Sequence, residues 1–233
     1  MTTAHYLERR SELETYFDRT AVAAWTRLTS EAPVGRIRAT VRAGRDEMRR
    51  TLLSWLPEDM RGARLLDAGC GTGALSIDAA RRGANVVAVD ISPSLIGIAS
   101  GRLPADISSR AIRFVAGDML DASLGKFDFV VAMDSVIHYR PDDMVRIFAS
   151  LAARTRHALL ATFAPRTPAL TLMHTIGRAF PRANRAPAIE PVTEQYLRKL
   201  IVAHPDLDGW SFANSSRVTS GFYKSHALEL LRR

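Results

Sequence analysis

Three glycines at every second position, Gly69, Gly71 and Gly73, constrain this chain more than any other feature. They sit in the run Leu65-Leu66-Asp67-Ala68-Gly69-Cys70-Gly71-Thr72-Gly73-Ala74-Leu75-Ser76. An apolar pair ending in an acid, a tight turn and a small, apolar helix start make a nucleotide-binding corner. Glycine lets the backbone turn sharply and approach a ligand closely, because no Cβ stands in the way. The spacing alone leaves two readings open. Gly69-x-Gly71-x-x-Ala74 also fits the dinucleotide fingerprint, in which a pyrophosphate sits on a helix N-terminus.

Asp67 separates the two. A carboxylate inside the turn repels a pyrophosphate and suits a ligand with positive charge at that point, as the ammonium and sulfonium of S-adenosylmethionine provide. From Arg64 onward strands and helices alternate, which predicts a mostly parallel sheet. Strands are expected at 64–67, 85–89, 112–115, 127–133 and 157–163, and helices at 73–82, 92–103, 141–154 and 193–203. Two strand-like runs, 210–218 and 221–231, suit a terminal antiparallel pair. Asp90 ends the second strand about twenty residues beyond the first glycine, where an acid accepts both ribose hydroxyls. Asp118 follows the third strand. Three acids at the tips of successive strands resemble the class I methyltransferases, in which the acid matching Asp118 contacts the adenine amino group. The resemblance implies S-adenosylmethionine as cofactor and S-adenosylhomocysteine as its product. The implied cleft comprises Asp67, Gly69, Cys70, Gly71, Gly73, Asp90, Ile91, Asp118, Met119 and Met133.

At 233 residues the chain suits one α/β domain with embellishments. Residues 1–57 read as a helical N-terminal arm, with Asp18 or Thr20 as the cap of its second helix. Ile37, Val41, Met48, Leu52 and Leu56 mark the buried stripe of a third. Residues 58–233 read as the cofactor-binding core, with an insertion at about 164–191 that carries four arginines and one glutamate. The single cysteine, Cys70, excludes an intramolecular disulfide and fits a reducing compartment. A formal charge of +8 points to an anionic partner, although only three of the thirty-two basic residues are lysines, so arginine bias explains part of it. No apolar run reaches the ~20 residues of a membrane span. A cytoplasmic protein is expected, peripheral to a membrane at most. No metal-ligand spacing and no RNA-binding module is present, and no nucleic-acid partner is expected.

Further motifs narrow the class. Tyr16-Phe17-Asp18-Arg19-Thr20-Ala21-Val22-Ala23-Ala24-Trp25, Val41-Arg42-Ala43-Gly44-Arg45, Ser135-Val136-Ile137-His138-Tyr139, Pro168-Ala169-Leu170-Thr171-Leu172 and Arg217-Val218-Thr219-Ser220-Gly221-Phe222-Tyr223 resemble the magnesium-protoporphyrin IX O-methyltransferases along nearly the whole chain. The likeness is closest to their bacteriochlorophyll-pathway branch. It implies methyl transfer to a propionate of Mg-protoporphyrin IX, with the magnesium belonging to the substrate, and Tyr16 and His138 as the catalytic pair. Phe17, Trp25, Tyr139, Leu172 and Arg178 are the implied substrate contacts. The large subunit of magnesium chelatase and the photosynthetic membrane are implied neighbours. Residue by residue, two other functions remain open: methyl transfer to another small molecule or to nucleic acid, and non-catalytic binding of S-adenosylmethionine.

Overall fold

The computed structural model describes residues 3–20, 22–29, 35–166 and 188–233. Its centre is a seven-stranded sheet: β1 (Arg64–Ala68), β2 (Asn85–Asp90), β3 (Ile112–Ala116), β4 (Phe127–Ala132), β5 (Thr155–Phe163), β6 (Trp210–Ser220) and β7 (Tyr223–Arg232). Their order is β3-β2-β1-β4-β5-β7-β6, parallel throughout except for β7, which runs antiparallel to both neighbours. The expected class I methyltransferase sheet with an antiparallel terminal strand is therefore present.

Side chains alternate across a strand, and in β1, β2, β4 and β5 both faces are apolar, as a parallel sheet covered on both sides requires. Leu66, Val87, Val89, Val130, Leu159 and Ala161 pack on one face against α6 (Pro141–Ala152) and the later helix α7 (Glu194–Val202). Leu65, Val86, Ala88, Val131 and Leu160 face the other way, onto α3 (Arg36–Ser54) and α4 (Ala74–Arg81). α3 carries Met48 and Leu52 fully buried, as the stripe predicts, whereas Ile37 at its start is exposed. Gly44 lets α3 close on β7, since a Cβ there would lie 2.5 Å from the Tyr223 ring.

α1 (Ala4–Thr15) runs into a π-helical turn at Tyr16–Thr20, and α2 (Val22–Leu28) follows. This corrects one expectation. Asp18 does not cap its own helix: its Oδ1 accepts hydrogen bonds from Ser92 Oγ and Ser94 N–H, both at 3.0 Å. These groups open α5 (Pro93–Gly101), so Asp18 serves a helix start 74 residues away. An anion is favoured there because a helix N-terminus presents unpaired N–H groups. The hydrogen bonds, led by that from the Ser94 N–H, hold the Asp18 carboxyl below its ordinary range.

Candidate active site

The sheet order reverses between β1 and β4, and in open α/β sheets ligands bind beyond the carboxyl ends of the strands at such a switch point. A cavity of about 460 Å³ opens there. Its floor is the glycine turn. The Gly69 and Cys70 N–H groups donate to Val89 O at 2.8 and 3.0 Å, which binds the turn to β2. Gly69 and Gly71 hold φ of +86° and +55°. A Cβ on Gly69 would stand 2.3 Å from Ser135 Cβ, so this glycine is needed for packing. Gly71 lines the cavity, and no atom lies within 4 Å of the position a Cβ would take there.

Asp67 is 1 % exposed and accepts a hydrogen bond from Ser76 Oγ at 2.6 Å. Burial pushes its carboxyl up to about 7; Asp90 adds to the rise and Ser76 opposes it. A carboxylate raised by burial gains most from a cation placed beside it. Asp90 is buried too, and burial raises it, against hydrogen bonds from the Ser92 and Gly71 N–H groups. Those two bonds occupy half of the roughly four acceptor sites of a carboxylate, and two remain for a diol. The donor set therefore fits S-adenosylmethionine.

Further walls come from Ile91, Met119, Met133, Tyr139 and His138, all anticipated from the sequence. Gly73, Asp118 and Tyr16 are not among the walls. Gly73 instead lets α4 pack closely, with Ala99 and Phe114 at 3.2 Å from its missing Cβ. Asp118 is drawn to the arm: Tyr6 OH donates to its Oδ1 at 2.7 Å, Leu120 N–H at 2.8 Å, and Arg10 lies 3.6 Å away. The Tyr6 ring stacks on Tyr139 at 5.1 Å. Burial raises both phenols, so both remain neutral.

The roof is aromatic. Phe17 meets Tyr16 edge-on at 5.2 Å, Trp25 at 5.9 Å and His138 at 5.8 Å. Arg42 Nε reaches Leu28 O at 2.9 Å, and Arg102 reaches Thr26 O and Thr29 Oγ1, both at 2.9 Å, so α2 is pinned from two sides. His138 sits in a 3-10 turn (Val136–His138) beyond β4, 8 % exposed, with Nδ1 3.2 Å from Ala188 O. The Glu190 N–H donates to Ile137 O at 2.8 Å, which seats the far end of the expected insertion on this turn. Leu172 and Arg178, assigned to the substrate from the sequence, lie outside the described residues.

Several walls were not anticipated as site residues: Tyr6, Leu13, Arg45, Asp46, Asp134 and Ser135. Asp134 carried a usable signal, an acid at the carboxyl end of a strand, as at Asp90. Among the described residues no group of three or more His, Cys, Asp or Glu could hold a metal ion.

The corner, the buried acids and the sheet order define a class I, S-adenosylmethionine-dependent methyltransferase, and a general methyltransferase-domain model matches residues 65–157. More narrowly, the chain belongs to the magnesium-protoporphyrin O-methyltransferase family. It is 48% identical over 225 residues to the magnesium-protoporphyrin O-methyltransferase of Rhodobacter capsulatus, covering 96% of this chain and 97% of that one. The chloroplastic magnesium protoporphyrin IX methyltransferase of Arabidopsis thaliana is 31% identical over 220 residues, 92% of this chain and 68% of the relative. The model described as "Magnesium-protoporphyrin IX methyltransferase C-terminus" matches residues 132–232. The crystal structure of the Synechocystis magnesium protoporphyrin IX methyltransferase with bound SAH superposes with a TM-score of 0.82, at 28% identity, over 96% of this chain and all of that one.

Proposed function

We propose that this enzyme transfers a methyl group from S-adenosylmethionine to a propionate carboxylate of Mg-protoporphyrin IX, giving the monomethyl ester in (bacterio)chlorophyll biosynthesis. The observation that carries the reading is the His138 turn. It places a histidine beneath the Phe17–Trp25 roof and against the cavity whose floor holds Asp67 and Asp90.

When bound, the cofactor supplies an electrophilic methyl group on a sulfonium. The chain's own residues do the rest. Asp67 faces the positive end, Asp90 the ribose and Asp118 the adenine amino group. Phe17 and Trp25 cover a flat apolar acceptor and exclude water, which strengthens every polar contact inside. A propionate, near 4.3 as a free acid, is already ionised at neutral pH. His138 and Tyr16 therefore align the carboxylate rather than deprotonate it. Tyr139 supports the turn through its stack with Tyr6. The family resemblance assigns Leu172 and Arg178 to the acceptor as well, and both lie outside the described residues.

The N-terminal arm is a lid on the core. The protein works in the cytoplasm, against a membrane surface and beside the large subunit of magnesium chelatase. The +8 charge supports an anionic partner, and among the described residues no helix is long and apolar enough to cross a membrane. Incubating the protein with S-adenosylmethionine and Mg-protoporphyrin IX and weighing the porphyrin tests the activity. A product heavier by one methylene supports it, and unchanged porphyrin rejects it. Co-sedimentation with anionic vesicles, and with purified chelatase large subunit, tests the two neighbours.

A further inference from the structure

We propose that Asp134 is a positioning residue that couples the aromatic roof to the His138 turn, acting through Arg45. The inference rests on the proposed methyl transfer only for what the coupling achieves, not for the coupling itself.

Among the described residues Asp134 is the one non-glycine with positive φ, at +54°. A left-handed residue other than glycine persists only where its surroundings over-determine it, and such residues gather at functional sites. Here the surroundings are unusually complete. The Asp134 N–H donates to Thr162 Oγ1 at 2.7 Å. Its carboxylate accepts from Arg45 at 2.7 Å, Tyr223 OH at 3.0 Å, Ser225 Oγ at 3.1 Å and Thr162 Oγ1 at 3.2 Å. These donors come from α3, β5 and β7, so three elements are gathered on one carboxylate at the end of β4.

Two links lead away from it. Along the chain, the left-handed backbone delivers Ser135 against Gly69 and, three residues later, His138 into the cavity wall. Through space, the Arg45 guanidinium lies 4.7 Å from the centre of the Trp25 ring. Trp25 packs on Phe17, and Phe17 on His138. The contacts close a ring: Asp134, Arg45, Trp25, Phe17, His138, and back through the turn. A planar guanidinium can bind a carboxylate along its edge while an aromatic ring covers its face, and an ammonium cannot. The ion pair thus fixes the depth of the roof relative to the histidine, which sets the gap that a flat acceptor enters.

Asp134→Asn, Asp134→Gly and Arg45→Lys test this with three readouts: calorimetric cofactor affinity, kcat and KM for Mg-protoporphyrin IX, and amide hydrogen exchange of residues 16–29. Asparagine and glycine both tolerate left-handed backbone, so the turn survives while the anion is lost. If Asp134→Gly does not fold, Asp134→Asn, which keeps an acceptor oxygen, carries the test. Misplacement by an ångström costs on the order of 100-fold. We expect kcat to fall by about 10- to 100-fold in all three variants, with faster exchange in 16–29 and cofactor affinity little changed. An Arg45→Lys enzyme with full kcat and native exchange would overturn the proposal. Equal losses in cofactor affinity and kcat would overturn it too, making Asp134 a support of the cofactor floor. If the wild type methylates no porphyrin, the functional reading fails, while exchange and cofactor affinity still decide whether the ring couples roof and turn.

Discussion

The Tyr6 hydroxyl donates to Asp118 at 2.7 Å while its ring lies on Tyr139, so one arm residue touches both the acid after β3 and the residue after His138. α1 is fastened across the mouth of the site at further points. Thr3 Oγ1 donates to Asp143 at 3.0 Å, and Arg9 stands 3.6 Å from Glu190. Asp118, the expected partner of the adenine amino group, is shared with the arm.

Sharing predicts different behaviour for two variants. Tyr6→Phe keeps the stacked ring and loses the hydrogen bond to a carboxylate, worth about 1.5–3 kcal/mol, or about 3–12 °C in Tm for a chain of this size. Hydrogen exchange in residues 4–15 should quicken, with cofactor affinity unchanged. Asp118→Ala removes the arm's acceptor and the adenine's together, so calorimetry should show weaker cofactor binding as well. Equal effects of the two variants on cofactor affinity would assign Asp118 to the arm alone.

Gly69 and Gly71 should respond differently to alanine. Both hold positive φ, which costs an L-residue about 1–2 kcal/mol. At Gly69 the added methyl also meets Ser135 Cβ at 2.3 Å, and either the glycine turn or the turn after β4 must move. Gly69→Ala is expected to lower Tm markedly and to abolish cofactor binding. Gly71→Ala meets open space, so it should fold with a small loss of Tm and fail mainly in cofactor affinity. Thermal scans with and without S-adenosylhomocysteine separate the two, and a Gly71→Ala protein with native affinity would remove the cofactor from that space.

Asp67 predicts a pH dependence with a definite sign. Its folded-state value is about 7 against an ordinary 3.8. Below pH 4 both folded and unfolded states hold the proton. Between about 4 and 7 the unfolded state loses it first, so the empty protein loses stability as pH rises through that window. A cation beside the carboxylate favours ionisation and reverses the effect. Cofactor binding near pH 6 should therefore release a proton, and affinity should climb with pH until about 7 and then level. Calorimetry in buffers of different ionisation enthalpy measures the release, which Asp67→Asn should abolish. Binding without proton release in the wild type would refute the assignment.

The corner, the strand order of events and most of the floor were legible in the sequence because each is written locally: alternating glycines, apolar runs of strand length, an acid at the strand's end. The parts that escaped depend on distant partners. Asp18 caps a helix 74 residues on, and Arg45 meets an acid 89 residues away. Nothing near either residue encodes those separations. The left-handed backbone at Asp134 escaped for a related reason, since donors on β5 and β7 hold it. The block around Arg42 and Arg45 was recognised as a motif, but its task, pinning the roof, became readable only when Leu28, Trp25 and Asp134 stood beside it.

The chemistry of His138 follows from its hydrogen bond. A carbonyl only accepts, so Nδ1, 3.2 Å from Ala188 O, carries the ring's proton when the imidazole is neutral. Nε2 can then donate to a propionate only from the imidazolium. The neutral ring keeps a lone pair on Nε2, as a general base needs, but a base also needs an acceptor with a proton to lose, and an ionised carboxylate has none. Activity should therefore show no rise with pH of the kind that deprotonating a general base produces. His138→Ala should lower kcat by about 100-fold through misalignment while cofactor affinity, set by Asp67 and Asp90, stays in place. Tyr16, which burial keeps as a neutral hydroxyl, should show its part through Tyr16→Phe, with kcat reduced and cofactor affinity intact. Steady-state rates across pH for wild type and the three single variants, His138→Ala, His138→Gln and Tyr16→Phe, provide the test. Partial recovery in His138→Gln, whose amide can still donate, would support alignment. A wild-type rate that climbs steeply with pH, and no longer does so in His138→Ala, would instead make the histidine a base. Full activity in Tyr16→Phe would leave that tyrosine to pack against Phe17 and nothing more.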